Sequence, residues 1–204
     1  MTREWIRRRK RDYYYRKAKK EDLRSRASFK LTETVRKYRF MKLGDVVVDL
    51  GAAPGGWLQI SRRIVGESGF VLGVDLEEIK PLGFSNVVTI VGDIRDPEII
   101  RRIKALLPRP ADVVLSDVSP NVSGIWEVDH ARQIELAERS LDIAVSVLRS
   151  DGNFFVKVFQ GDLQDKFLNL VRKRFYNVRV LKPKASRKES AEVYVLAMGY
   201  KGES

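Results

Sequence analysis

The sequence has no cysteine, which excludes disulfides, zinc–thiolate centres and thiol nucleophiles. No apolar run approaches the roughly 20 residues of a membrane span. The N-terminus carries charge at every turn with no apolar segment behind it. No secretory signal is therefore expected, and a cytoplasmic protein is. No internal repeat or low-complexity linker interrupts the 204 residues, a length that suits one domain with a sizeable core. Histidine occurs once, as His130, at the start of a helical pattern where a cap or surface position is expected. Nucleotide-binding signatures are missing as well. The one glycine-rich turn lacks the G-x-G-x-x-G spacing of dinucleotide sites, and no P-loop Lys-Ser/Thr follows it.

Positive charge is what the chain has in excess. Lys and Arg number 39 against 27 acids, a net charge of +12. Residues 1–20 hold ten of the bases: Arg3, Arg7, Arg8, Arg9, Lys10, Arg11, Arg16, Lys17, Lys19 and Lys20. Only two acids, Glu4 and Asp12, offset them, and Trp5, Tyr13, Tyr14 and Tyr15 are interleaved. Cations suit phosphates, and aromatic rings stack on unpaired bases. We expect residues 1–26 to form a basic arm that contacts nucleic acid, and residues 27–204 to form one domain.

Beyond the arm, short apolar runs bounded by turn residues read as buried strands: Val46–Leu50, Phe70–Val74, Val87–Val91, Val113–Leu115, Phe154–Phe159, Val178–Leu181 and Val193–Ala197. Helical patterns lie between several of them. Ala131–Leu148 places Ile134, Ala137, Leu141, Ala144, Val145 and Leu148 on one face. Pro97–Leu107 and Asp162–Phe175 read as further helices, the latter capped by Asp162. Strands alternating with helices predict an α/β fold with a mostly parallel sheet covered on both faces. Periodicity does not give the strand order.

Open parallel sheets bind ligands at the carboxyl ends of their strands. The first strand runs into Gly51-Ala52-Ala53-Pro54-Gly55-Gly56-Trp57, where small residues let backbone approach a ligand and the next helix offers free N–H groups. The second strand ends in Asp75, able to accept both hydroxyls of a nucleoside ribose. The third ends in Gly92-Asp93, placed to meet an adenine edge. An acidic lining suits a cationic ligand better than a pyrophosphate, which favours a sulfonium cofactor over NAD. The fourth strand ends in Ser116-Asp117. The fifth carries Lys157 among apolar neighbours, where an unpaired ammonium would be costly. Glu192, at the entry to the last strand, is a candidate partner for Lys157.

The motifs Arg24-Ser-Arg-Ala-Ser-Phe-Lys-Leu31, Val48-Asp-Leu-Gly-Ala-Ala-Pro-Gly-Gly-Trp57, Ser116-Asp-Val-Ser-Pro-Asn-Val-Ser-Gly124, Val156-Lys-Val-Phe-Gln-Gly161 and Ser186-Arg…Glu192-Val-Tyr194 resemble the FtsJ/RrmJ ribose 2′-O-methyltransferases. The resemblance covers nearly the whole chain from about Arg11. It implies a Rossmann-like, seven-stranded S-adenosylmethionine-dependent methyltransferase fold with one antiparallel strand. It also implies a catalytic tetrad of Lys30, Asp117, Lys157 and Glu192. Cofactor contacts are then expected from Gly51, Ala52, Pro54, Gly55, Gly56, Trp57, Asp75, Asp93 and Asp117, with S-adenosyl-L-methionine as cofactor and no metal required. Lys157 is the expected base, which needs a neutral amine at the moment of attack. Asp117 is expected to orient it, Glu192 to position the hydroxyl or a lysine, and Lys30 to steady the substrate.

The implied substrate is a structured RNA. Gly51–Trp57, Pro120–Gly124 and Val158–Gly161 look closer to bacterial members that act on a uridine of large-subunit (23S) ribosomal RNA. Arg11–Lys19 looks closer to members that act on the transfer-RNA anticodon loop. Residues around the active site shape where the target ribose sits, so ribosomal RNA is favoured. A monomer is expected. A nicotinamide oxidoreductase lacks its glycine spacing here. A non-enzymatic ribosome-assembly factor would explain the basic arm but leave a buried lysine and its carboxylates without a purpose.

Overall fold

Runs such as Val46-Val47-Val48 are β-branched, and stiff branched side chains pack best on a pleated strand. A computed structural model describes residues 12–187 and 189–202. Two helices, α1 (Tyr13–Lys20) and α2 (Ser28–Tyr38), precede β1 (Val46–Leu50) and α3 (Gly56–Val65). Then come β2 (Phe70–Asp75), β3 (Val87–Val91), α4 (Ile99–Leu106), β4 (Ala111–Ser116) and α5 (Trp126–Val147). The chain continues through β5 (Leu148–Phe159), α6 (Gln164–Arg174), β6 (Phe175–Leu181) and β7 (Glu192–Tyr200).

The seven strands form one sheet in the order β3-β2-β1-β4-β5-β7-β6. Pairings from β3 through β5 are parallel, and β7 runs antiparallel to both β5 and β6. The order reverses between β1 and β4, which opens a crevice at the carboxyl ends of those two strands. Every residue of β1 and β4 is buried, as a strand covered on both faces requires. One face packs against α4, α5 and α6 through Leu50, Ile103, Ile134, Phe154 and Phe167. The other packs against α1, α2 and α3 through Ala18, Leu31, Trp57, Phe155 and Tyr194. Among the described residues no helix is long and apolar enough to cross a membrane.

Part of the expected basic arm, residues 1–11, lies outside the described residues. Of the rest, Arg16, Lys17, Lys19 and Lys20 lie in α1. Asp12 caps this helix by accepting the Tyr15 N–H at 3.0 Å, and it also pairs with Arg26. Ala18 and Leu23 are buried, so this stretch is seated on the domain.

Three local expectations are corrected. Asp162 is exposed and does not cap α6, whose N-cap residue is Leu163 with no side-chain cap bond. The Leu163 N–H is instead satisfied by the imidazole Nε2 of His130, at 3.1 Å. His130 is therefore buried rather than at the surface. Strand β5 begins six residues before the expected Phe154, because Asp151 adopts a left-handed φ of 61° and carries pairing through a register shift opposite Ala111 and Val113.

Candidate active site

Because parallel strands share a direction, their carboxyl ends bring Gly51, Asp75, Asp93, Asp117 and Lys157 to one edge of the sheet. Strand β7 runs the other way, so its first residue, Glu192, arrives at that same edge opposite Phe159, with Tyr194 opposite Lys157. Lys30 comes from α2, whose start is clamped to the glycine-rich turn. The Ser28 hydroxyl donates to the Gly56 carbonyl at 3.0 Å, and the Trp57 indole N–H donates to the Ala27 carbonyl at 2.8 Å.

All four tetrad candidates meet. Lys157 Nζ donates to the backbone carbonyl of Asp117 at 2.7 Å and lies 3.2 Å from its Oδ1. Lys30 Nζ lies 2.5 Å from Glu192 Oε1, which also accepts from the Ser186 hydroxyl at 3.1 Å. The expected partnership of Glu192 with Lys157 is thus corrected: each lysine has its own carboxylate, because Glu192 sits two residues nearer the strand end than the position opposite Lys157. Tyr194 joins the two pairs. Its hydroxyl donates to Asp117 Oδ1 at 2.7 Å and accepts from Lys30 Nζ at 3.1 Å.

Burial pushes the Asp117 carboxyl up, but the charges of Lys157 and Lys30 and the Tyr194 hydrogen bond outweigh it and hold the group below the usual carboxylate range. Burial, followed by the charges of Asp117 and Glu192, drives the Tyr194 phenol well above the usual tyrosine value. Tyr194 therefore keeps its proton and its donor role. Its role is not apparent from the sequence, where the one signal is a polar aromatic in an otherwise apolar inner strand. Behind Lys157, Gln133 donates to the Lys157 carbonyl at 3.0 Å and fixes the strand beneath it.

A cleft of 820 Å³ adjoins this network, within the size range of small-molecule sites. Gly51, Pro54, Asp75, Asp93 and Asp117 line it. Gly51 holds a φ of 74°, and a Cβ there would lie 2.9 Å from the Val118 backbone nitrogen, so no other residue fits the turn. Asp75 accepts the Ala53 N–H at 2.8 Å and the Glu77 N–H at 2.9 Å, which holds the carboxylate at the cleft wall. Asp93 is engaged by Arg95, with Nη2 to Oδ2 at 2.7 Å, and those hydrogen bonds hold its carboxyl below the usual range. Ala52, Gly55, Gly56 and Trp57 do not line the cleft. Ala52 and Gly56 are buried, Gly55 is the N-cap residue of α3, and Trp57 packs in the core against Phe155 at 5.6 Å between ring centroids.

The lining carries Asp75, Glu77, Asp93, Asp117 and Glu135 against Arg95 and Arg132, an excess of negative charge. Asp49 lies beneath this lining. It is fully buried in β1, and neither carboxylate oxygen has a hydrogen-bond partner among the described residues. Burial, then Asp117 and Asp75, pushes its carboxyl well above the usual value. Such a site fits a cationic ligand, which would relieve this repulsion. Sequence reading missed Asp49 because one acid at the fourth position of a five-residue apolar strand gives no pattern.

Residues 23–200 match the family model described as FtsJ-like methyltransferase. The chain is 52% identical over 202 residues to the ribosomal RNA large subunit methyltransferase E of Methanocaldococcus jannaschii, covering 98% of this chain and 82% of that one. It is 48% identical over 203 residues to the protein of that name from Methanothermobacter thermautotrophicus, covering 100% and 96%. A crystal structure from Plasmodium falciparum, described as a ribosomal RNA methyltransferase, superposes with a TM-score of 0.78 at 25% identity, over 89% of this chain and all of that one.

Proposed function

Because the chain belongs to the FtsJ-like methyltransferase family, we propose that it transfers a methyl group from S-adenosyl-L-methionine to a ribose 2′-hydroxyl, at a uridine of large-subunit ribosomal RNA. One observation carries the chemistry: two lysine–carboxylate pairs, joined by a protonated tyrosine, stand at the end of an acidic cleft. The names of relatives near 50% identity support the substrate.

When bound, S-adenosyl-L-methionine supplies a methyl group activated by a positively charged sulfur. Asp75 would hold the ribose of the cofactor, the Gly51–Pro54 backbone would close over it, and Asp93 with Arg95 would meet the adenine end. A ribose hydroxyl is a poor nucleophile, so the enzyme must supply position and a proton acceptor. Lys157 Nζ is directed by two contacts to Asp117, which leaves one position on the nitrogen to face the hydroxyl. In its neutral form it takes the hydroxyl proton as the oxygen attacks. Lys30, held by Glu192 and Tyr194, offers its remaining N–H to the substrate oxygen or a phosphate. The basic segment 1–26 would grip phosphates of the RNA.

Lys157→Ala should lower the single-turnover rate of methyl transfer by at least about 100-fold, the low end of general-base effects. Its affinity for S-adenosyl-L-methionine, measured by calorimetry, should stay near wild type. A rate close to wild type would remove Lys157 as the base.

A further inference from the structure

Past Asp117 the loop into α5 exposes Val122 and Ile125 at 73% and 59%, and Trp126, the first residue of α5, is 45% exposed. Apolar side chains on a loop are usually free to move, but this loop is tied down. The Asp129 carboxylate accepts the Ser123 N–H at 2.7 Å, the Ser123 hydroxyl at 2.8 Å and the Gly124 N–H at 3.0 Å. The indole of Trp126 is fixed as well. It lies near-parallel to the His130 ring, 14° off at 5.5 Å, and to the Phe159 ring, 20° off at 6.1 Å. His130 is locked by the Leu163 N–H and by Gly161, which passes so close that a Cβ there would lie 2.9 Å from the imidazole. Burying and wedging a histidine in this way serves to hold a half-exposed tryptophan still.

The position of this ring is informative. Phe159 follows Lys157 by two residues on β5, roughly 7 Å along an extended chain. Gln133, three residues beyond His130 on α5, bonds the Lys157 carbonyl. Trp126 therefore stands on the rim of the lysine–carboxylate network. Its chain neighbour Glu127 is an exposed acid, as is Asp162, which lies between the two residues that hold His130, and such acids repel phosphate. A neutral, flat, immobilised ring beside a site for a ribose, with acids around it, suits a nucleobase and not a backbone phosphate.

We propose that Trp126, backed by His130 and Phe159, is a stacking platform for the base of an unpaired nucleotide next to the one whose ribose is methylated. The proposal rests on the ribose-methylation reading, and it assigns a base contact to a residue that belongs neither to the tetrad nor to the lining of the cleft.

The test uses the full chain as wild type, Trp126→Ala and Trp126→Phe. Binding is measured across a salt series to an unstructured RNA oligonucleotide and to large ribosomal subunits. Trp126→Ala should weaken both by about 10-fold, within the range for one stacked base. Trp126→Phe should restore most of the affinity, since a smaller ring still stacks. The slope of log affinity against log salt should not change, because no phosphate contact is lost. Cofactor affinity should also hold, which shows that the variants are folded. Equal oligonucleotide affinity for Trp126→Ala and wild type would overturn the platform. Loss confined to ribosomal subunits would also overturn it, and would mark the surface as a protein contact. A Trp126-dependent RNA affinity in a protein that transfers no methyl group would overturn the proposed function and leave the RNA contact standing.

Discussion

Asp49 has an environment that the tetrad carboxylates do not share. Asp117 and Glu192 each face a lysine, whereas Asp49 is buried with no partner among the described residues. Its carboxyl is raised by burial and by Asp117 and Asp75, so the folded state holds its proton more tightly than the unfolded state. The linkage sign follows: this site favours folding below the unfolded carboxyl value near 4, and the benefit fades as pH rises above it. Asp49→Asn should therefore raise the thermal midpoint at pH 7 by about 3 °C, the shift given by roughly 1 kcal/mol in a chain of this size. The gain should vanish near pH 4. Melting curves that show the same gain at both pH values would contradict the assignment. At this scale Asp117, Lys157 and Glu192 stood out in the sequence as charged residues at the ends of apolar strands, whereas Lys30, on a helix, came only with the family resemblance. Asp49 and Tyr194 did not stand out, since their importance comes from what surrounds them in space: two nearby carboxylates for one, two ion pairs for the other.

The elements meet through backbone acceptors as much as through side-chain packing. Arg24, just before α2, donates to the carbonyls of Pro54 at 3.2 Å and Pro81 at 2.8 Å, and also to that of Lys80. Its own N–H bonds the Gln59 side chain at 2.8 Å on α3. One residue thus ties the start of α2 to the glycine-rich turn and to the loop after β2. A planar guanidinium can reach three carbonyls at once where an ammonium cannot. Arg24→Lys should raise the KM for S-adenosyl-L-methionine several-fold while leaving kcat within about 2-fold, because the turn is displaced and the tetrad is not. A fall in kcat at unchanged KM would contradict this account. Legibility at this scale follows periodicity. The expected cores of β1 and β3 match the observed strands residue for residue, since both are bounded by clear turn residues. Strand β5 was read short because Ser150-Asp151-Gly152 carries the composition of a turn, and only the pairing with β4 draws it into the sheet. The α6 cap was misread for a related reason: an aspartate near a helix start is the usual cap, and a histidine from another helix leaves no local trace.

Over the whole molecule, charge is divided by task. The chain carries a net +12, yet its cleft is lined by more acids than bases. A polyanion is drawn to the exterior while a small cation is accepted within. The strand order that makes this possible could not be read from the sequence, since it arises from pairings between distant segments. The two substrate signals, one near the active site and one in the N-terminal segment, likewise point in different directions. The relatives carry the name of a large-subunit ribosomal RNA methyltransferase, in agreement with the residues around the cleft.

Methyl transfer to a ribose of large-subunit ribosomal RNA can be read directly from its product. Large ribosomal subunits and bulk transfer RNA from a strain lacking the enzyme would be incubated with methyl-labelled S-adenosyl-L-methionine, then digested to nucleosides and separated by mass. The account predicts label in a 2′-O-methylated uridine from the large-subunit RNA. Label on a base atom, or label confined to the transfer RNA, would contradict it.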